Sequence, residues 1–132
     1  MKIGFINGCF DIIHIGHISM FKECRKIVDM LVVAVDSDER ISLAKGKDRP
    51  FNTLKDRKEL LMNLTVVDLV LSFSNDKELE TIVKCLRPDI MMVGEEYKDR
   101  NVIGSKYAKE LKFYRRLDGY STTKILQSFI NR

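Results

Sequence analysis

The only two histidines of the chain lie three residues apart, in the stretch N-G-C-F-D-I-I-H-I-G-H at positions 7–17. A short apolar run ending at Gly8 precedes them, and apolar residues at helical spacing follow, so we expect His14 and His17 on the first turn of a helix. Backbone N–H groups at a helix start favour an anion, and Gly16 leaves room for a phosphate against the backbone. The pattern predicts a phosphate-binding site with two imidazole donors. A surface histidine beside a capping histidine, or a zinc pair, is the alternative.

A basic loop, K-G-K-D-R-P at positions 45–50, precedes a second predicted helix. We interpret Lys45, Lys47 and Arg49 as mobile cations that could close over a polyphosphate. Arg57 lies on the helix that follows. For each of these four residues, a solvated surface position is the alternative interpretation.

A third polar cluster, R-L-D-G-Y-S-T-T-K, covers positions 116–124. Gly119 permits a tight turn, and Arg116 carries a fork of donors suited to phosphate. Ser121, Thr122 and Thr123 bring hydroxyls and free N–H groups to the start of a last helix. The chain therefore has two helix starts that could receive an anion, one near each end.

The elements that must position these clusters alternate between strand and helix. Strands are predicted at 2–7, 30–35, 66–73, 89–93 and 111–117, and helices at 15–28, 54–64, 77–86 and 123–130. Thr53 is a plausible N-cap of the second helix. The alternation predicts an α/β fold over residues 1–132: a single-domain, Rossmann-like open parallel sheet of about five strands with helices on both faces.

Three polar or glycine-containing segments follow the predicted strand ends: Gly8–His17, Asp36–Ser37 and Gly94–Glu96. In open α/β sheets, ligands bind outside the carboxyl ends of the strands, near the point where the strand order reverses. We therefore expect these segments to meet at one ligand site.

Composition excludes several other classes of protein. No apolar stretch reaches the length of about 20 residues that a membrane span needs, and no signal peptide is apparent. The three cysteines are widely spaced and indicate reduced thiols in a cytoplasmic protein. The net charge is +4, with the positive charge concentrated after Ser105. A basic end could bind nucleic acid, but neither a recognition-helix motif nor an aromatic-interleaved basic face is present, so we favour a polyphosphate.

The motifs G-C-F-D-I-I-H-I-G-H at 8–17 and G-Y-S-T-T-K-I at 119–125 together resemble those of the cytidylyltransferase-like nucleotidyltransferases. That family includes glycerol-3-phosphate cytidylyltransferase and the heptose-phosphate adenylyltransferases. The resemblance covers nearly the whole chain. It implies transfer of a nucleoside monophosphate from CTP or ATP to a small phosphorylated polyol or sugar, with release of pyrophosphate. It also implies Mg²⁺ on the triphosphate, held mostly by phosphate and water, and a homodimer.

Features of two branches of the family are present. G-C-F-D, R-P at 49–50, D-R at 56–57, P-D-I at 88–90 and I-G-S at 103–105 resemble the heptose-phosphate adenylyltransferases. The position of Arg116 before Gly119, and G-E-E-Y at 94–97, resemble the glycerol-3-phosphate enzymes. A carboxylate of the latter segment could accept from the amino group of cytosine, although adenine also offers one. We place CMP transfer from CTP first and AMP transfer from ATP to a heptose phosphate second. A non-catalytic nucleotide-binding module is the third possibility.

The resemblance and the residue chemistry together give the candidate site. The expected catalytic residues are His14, His17, Lys45, Lys47 and Arg116. The expected nucleotide-binding residues are Gly8, Cys9, Phe10, Gly16, Asp36, Arg57, Gly94, Glu95, Glu96, Gly119, Ser121, Thr122 and Thr123. No residue is expected to hold a metal ion by itself. Asp11 could assist or could cap a turn.

Overall fold

The computed structural model describes residues 1–115 and 121–130. Its strands are β1 (Ile3–Gly8), β2 (Met30–Asp36), β3 (Leu69–Phe73), β4 (Ile90–Gly94) and β5 (Glu110–Tyr114). Its helices are α1 (Ile15–Arg25), α2 (Asp38–Lys45), α3 (Leu54–Met62), α4 (Asp76–Leu86) and α5 (Thr122–Ile130). Two 3₁₀ turns, Glu95–Tyr97 and Ser105–Tyr107, lie between β4 and β5.

All five strands are parallel and form one sheet in the order β3-β2-β1-β4-β5. The chain builds outward from β1 through β2 to β3, then crosses back to place β4 and β5 on the other side of β1. The strand order therefore reverses between β1 and β4, and a crevice opens there at the carboxyl ends of the strands. The predicted Rossmann-like open sheet is confirmed.

Helices cover both faces of the sheet, as predicted. On one face, Phe21 of α1 and Leu61 of α3 pack in a cluster with Val33 of β2. On the other face, Val83 of α4 packs in a cluster with Val32 of the same strand. Because consecutive residues of β2 point into different clusters, the strand must be apolar throughout, which explains the unbroken run M-L-V-V-A-V.

Helix α2 was not predicted from the sequence. It buries a single residue, Ile41, so its sequence D-E-R-I-S-L-A-K has no apolar periodicity. The sequence feature that could have indicated this helix is its N-cap residue, Ser37, whose side chain accepts from the Arg40 N–H at 3.2 Å. The third strand also starts later than predicted: the Asp68 carboxylate accepts from the Leu31 N–H at 2.7 Å, and β3 begins at the next residue.

Among residues 1–115 and 121–130, no helix combines the length and the apolar content that crossing a bilayer requires.

Close packing of β1 against α1 allows no side chain at Gly4. A Cβ there would lie 2.7 Å from the Cys24 sulfur and 3.0 Å from a methyl group of Val28. We expect Gly4→Ala to lower the free energy of unfolding by about 1–3 kcal/mol, measured by urea denaturation. Cys24→Ala removes the nearest atom, so the double variant should lose less stability than the sum of the two single variants. Strictly additive losses would show that this contact does not cause the effect.

Candidate active site

The loop that joins β1 to α1 has a conformation set by Phe10. This residue has a positive φ of 49°, which is uncommon for a residue with a side chain. Its ring makes edge contacts with the rings of His17 and Phe21, both at 5.3 Å between centroids. The ring also occupies the space beside Gly8, where a Cβ would approach it to 3.0 Å. The loop is thus packed around an aromatic side chain that touches one of the two histidines.

Both histidines cap the start of α1 through the same ring atom. His14 Nδ1 accepts from the Gly16 N–H at 3.1 Å, and His17 Nδ1 accepts from the His14 N–H at 3.2 Å. The two rings stack with centroids 3.8 Å apart. A nitrogen that accepts a hydrogen bond carries no proton, so in each neutral ring the proton lies on Nε2. The capping bonds therefore fix both imidazoles as Nε2–H donors.

The start of α5 lies against the same loop. Thr122 Oγ1 donates to the backbone carbonyl of Ile12 at 3.2 Å, which joins the two ends of the chain. Ser121 caps the helix, since its Oγ accepts from the Lys124 N–H at 3.0 Å. A short hydrogen bond of 2.5 Å between the hydroxyls of Ser19 and Tyr114 links α1 to β5 beside it. The predicted pairing of the two helix starts is therefore present.

These groups line one cavity of about 390 Å³ at the carboxyl ends of the strands. The predicted residues that line it are Gly8, Cys9, Phe10, His14, Gly16, His17, Asp36, Lys45, Gly94, Ser121, Thr122 and Thr123. Arg49, which the sequence suggests as a polyphosphate-binding cation, and Asp11 also line the cavity, whereas Arg40 is a lining residue that was not predicted. Arg40 was missed because α2, which carries it, was not predicted.

The other predicted residues do not line the cavity or lie outside the described part of the chain. Lys47, Glu95 and Glu96 are exposed and are absent from the lining. The Glu96 carboxylate lies over Gly94, so that a Cβ at the glycine would collide with it. Arg116 and Gly119 lie outside the described residues, so their predicted roles stay predictions.

Arg57 is fully buried below the cavity, in contrast to the exposed or nucleotide-contacting position expected for it. Nη1 donates to the carbonyl oxygens of Cys9 at 2.9 Å and Asp36 at 2.8 Å, and Nε donates to that of Asn52 at 3.0 Å. Nη2 is paired with Asp38 at 2.6 Å. Its donors are therefore committed to the chain itself, and Arg57 supports the site from beneath.

Asp11 holds the loop of residues 46–53, and its side chain is only 1% exposed. The carboxylate accepts from the backbone N–H groups of Phe51 and Asn52, each at 2.8 Å, and from Arg49 Nε at 3.1 Å. Asn52 Nδ2 in turn donates to the Asp11 carbonyl at 2.7 Å. The basic loop was expected to be mobile, but these four bonds fix its second half against the β1–α1 loop.

A polar network at the end of β2 completes the floor. Asp36 pairs with Arg40 Nε at 2.9 Å, and the Cys9 thiol donates to the other oxygen of Asp36 at 3.4 Å. Burial raises the pKa of the Asp36 carboxyl, while Arg40 acts in the opposite direction. Burial also raises the pKa of the Cys9 thiol. Cys9 therefore stays protonated at neutral pH, which does not suit a nucleophile.

No group of three or more histidine, cysteine or acidic side chains that could hold a metal ion occurs in the described ranges. Among the described residues, the carboxylates that line the cavity are those of Asp11 and Asp36, which already pair with Arg49 and Arg40. The alternative of a zinc site thus gains no third ligand from the described part of the chain.

Comparison with known proteins agrees with this geometry. A family model described as cytidylyltransferase-like matches residues 5–128. The bifunctional protein HldE of Helicobacter hepaticus is 43% identical over 96% of this chain and 26% of its own length, and HldE of Campylobacter fetus is 44% identical over 92% and 26%. The chain thus spans about a quarter of the length of these curated relatives.

Solved structures share the fold. The lipopolysaccharide core biosynthesis protein of Thermoplasma volcanium has a TM-score of 0.73 and 29% identity, over 89% of this chain and 99% of that one. Pantothenate synthetase of Thermus thermophilus has a TM-score of 0.55 and 13% identity, over 87% of this chain and 55% of that one. The second likeness shows the fold alone.

A parallel sheet whose strand-end cavity joins two imidazoles to a second helix start fits a nucleotidyltransferase domain, the class that the family match and the HldE relatives support. With the family match over residues 5–128, the chain belongs to the cytidylyltransferase-like family.

Replacing Arg57 tests its role beneath the site. Arg57→Met leaves the carbonyl oxygens of Cys9, Asp36 and Asn52 without their donor, so the free energy of unfolding should fall by at least about 3 kcal/mol. Lys55→Met, an exposed position on the same helix, removes the same charge and should have little effect. Chemical denaturation measures both. Equal effects of the two variants would contradict the proposed support.

Proposed function

We propose that this chain transfers AMP from ATP to a heptose phosphate or a closely related sugar phosphate and releases pyrophosphate. The observation that carries the proposal is the shared cavity of His14, His17 and the hydroxyl-bearing start of α5. Two oriented imidazole donors and a helix N-terminus suit the charge of a triphosphate tail.

We place adenylyl transfer before cytidylyl transfer, the reverse of the order favoured by the sequence. Cytidylyl transfer was placed first partly because Glu95 or Glu96 could accept from a cytosine amino group, but both are exposed and absent from the cavity lining. In contrast, three segments that resemble the heptose-phosphate adenylyltransferases build the site. G-C-F-D contributes cavity-lining residues, R-P contributes Arg49, and D-R contributes Arg57 beneath the floor.

The relatives support a sugar-phosphate acceptor. The protein of Thermoplasma volcanium, which matches along nearly its whole length, is described as acting in lipopolysaccharide core biosynthesis. Lipopolysaccharide cores are built from sugars, so a phosphorylated sugar is the acceptor that this likeness favours.

The transfer that we propose needs alignment and charge stabilisation rather than a strong base. An oxygen of the acceptor phosphate, already anionic, attacks the α-phosphorus of ATP, and the bond to the β-phosphate breaks. His14 and His17 donate from Nε2 to oxygens of the α-phosphate as charge builds up there. The hydroxyls and N–H groups at the start of α5 hold the leaving pyrophosphate, and Lys45 contributes positive charge.

We propose that Mg²⁺ enters with the triphosphate and is held by phosphate oxygens and water. The cavity carboxylates suit this arrangement because both are paired with arginines, which leaves the ion to the nucleotide. The family resemblance also implies a homodimer, which we propose for the chain. Light scattering should then give twice the chain mass of 15.3 kDa.

Exchanging His17 separates its capping role from its catalytic role. His17→Asn keeps an acceptor near the position of Nδ1 but has no atom near Nε2, so the cap should survive while the donor is lost. We expect near wild-type thermal stability and pyrophosphate release slower by about 10²–10³-fold.

Lys22→Ala, an exposed change on the same helix, should alter neither property. Unchanged turnover in folded His17→Asn would remove the histidine from the mechanism.

The choice of nucleotide can be measured by thermal shift. A ligand that binds only the folded state stabilises it by mass action, so ATP with Mg²⁺ should raise Tm more than CTP at the same concentration. Pyrophosphate release should then follow with ATP and a heptose phosphate, and be slower with CTP and glycerol 3-phosphate. A larger shift with CTP would restore the cytidylyl assignment. Binding without release in any combination would indicate a non-catalytic nucleotide-binding module.

A further inference from the structure

Arg49 lines the cavity and keeps a donor that the chain does not use. Its Nε donates to Asp11 at 3.1 Å, but Nη2 is buried and has no hydrogen-bond partner among residues 1–115 and 121–130. Only 14% of the side chain is exposed. A buried cationic donor without a partner is costly, so the arrangement requires an explanation.

The arginine is also held in place more firmly than a surface cation. The Arg49 N–H donates to the Gly46 carbonyl at 3.1 Å, and the Arg49 carbonyl accepts from the Ser42 hydroxyl at 2.5 Å. The Asp11 carboxylate, which accepts the hydrogen bond from Arg49 Nε, is itself fixed by hydrogen bonds from two backbone N–H groups. A guanidinium oriented in this way before a ligand arrives is suited to an anion, because little side-chain freedom remains to be lost on binding.

In the strand order, this arginine and the start of α5 follow strands that lie on opposite sides of β1. Arg40, Lys45 and Arg49 follow β2, which lies on one side of β1, and Ser121–Thr123 follow β5, which lies beyond β4 on the other side. The histidines follow β1 itself and lie between the two groups. The cavity thus has a cationic β2 flank and a hydroxyl-bearing α5 flank.

The in-line geometry of phosphoryl transfer requires the attacking phosphate and the leaving pyrophosphate to lie on different flanks of the cavity. The attacking and leaving oxygens lie roughly in line on opposite sides of the reacting phosphorus. If pyrophosphate leaves toward the α5 flank, the attacking phosphate must approach from the β2 flank. We propose that Arg49 binds the phosphate group of the acceptor and aims its oxygen at the α-phosphorus, an inference that rests on the function proposed above.

The cavity also has room for the rest of an acceptor. It is further lined by Phe73 at the end of β3, Leu79 of α4, and Asn101 and Val102 after β4. Apolar surfaces with an amide among them suit the C–H faces and hydroxyl groups of a sugar. In the step itself, the bond from the acceptor oxygen to phosphorus forms as the bond to pyrophosphate breaks. Arg49 keeps its protons throughout.

The test separates the two substrates by their KM values. Arg49→Gln should raise KM for the acceptor about tenfold to a hundredfold, as expected for loss of a charged hydrogen bond, and leave KM for ATP unchanged. Arg49→Lys, which keeps the charge but loses the fork, should fall between Arg49→Gln and the wild type. Lys55→Gln, at an exposed position outside the cavity lining, is the charge-matched control and should change neither KM. The comparison uses whichever donor and acceptor pair the wild type turns over.

A binding measurement decides the assignment without turnover. With α,β-methylene ATP saturating the nucleotide subsite, inorganic phosphate should raise Tm of the wild type and raise that of Arg49→Gln much less. Equal shifts, or a raised KM for ATP with an unchanged KM for the acceptor, would overturn the assignment. In the wild type itself, phosphate should compete with the acceptor and not with ATP, which tests the proposal even if Arg49→Gln does not fold. If no pair releases pyrophosphate, the proposed function fails, and the phosphate shift still decides the role of Arg49.

Discussion

Two buried side chains of opposite charge, Asp11 and Arg57, hold together the three loops from which most of the site is built. The Asp11 carboxylate accepts hydrogen bonds from backbone N–H groups and from the arginine of the 46–53 loop. The Arg57 guanidinium donates to carbonyl oxygens of the β1 loop, the end of β2 and the same 46–53 loop. Burying a charge is unfavourable unless hydrogen bonds replace its water, and here five of the seven bonds go to backbone groups that would otherwise be unsatisfied. The position of each cavity-lining group on these loops therefore depends on this pair.

The same side chains serve the helix cap and the proposed chemistry at the start of α1. A Ser, Thr, Asp or Asn would cap the helix equally well, but only histidine can accept a bond at one ring nitrogen and donate from the other. Capping through Nδ1 of His14 and His17 sets the tautomer and limits the rotation of both rings. A structural requirement thus orients the donors before any ligand binds.

The sequence predicted those parts of the molecule whose signal is local. The apolar run of β2, the glycine that ends β1 and the hydroxyls at the start of α5 each marked an element that the structure confirms. It did not predict α2, because one buried residue, Ile41, produces no periodicity. Nor could it show that Arg57 is buried and Glu96 is exposed, since both facts depend on which loops the sheet order brings together. Arginine and glutamate are both strongly polar in a hydropathy pattern. Only the tertiary contacts distinguish a buried residue that supports the site from an exposed surface residue.

The two flanks of the cavity differ in how they are held. On the β2 flank, Arg49 is held by the buried Asp11 carboxylate and by backbone bonds, whereas no residue of Thr122–Ile130 is buried, so few apolar contacts position α5. Its described polar attachment to the β1 loop is the bond from Thr122 to the Ile12 carbonyl. In the proposed complex, a triphosphate that bridges the histidines and the start of α5 adds contacts between the β1 loop and α5. By linkage, nucleotide binding would then stabilise the position of α5.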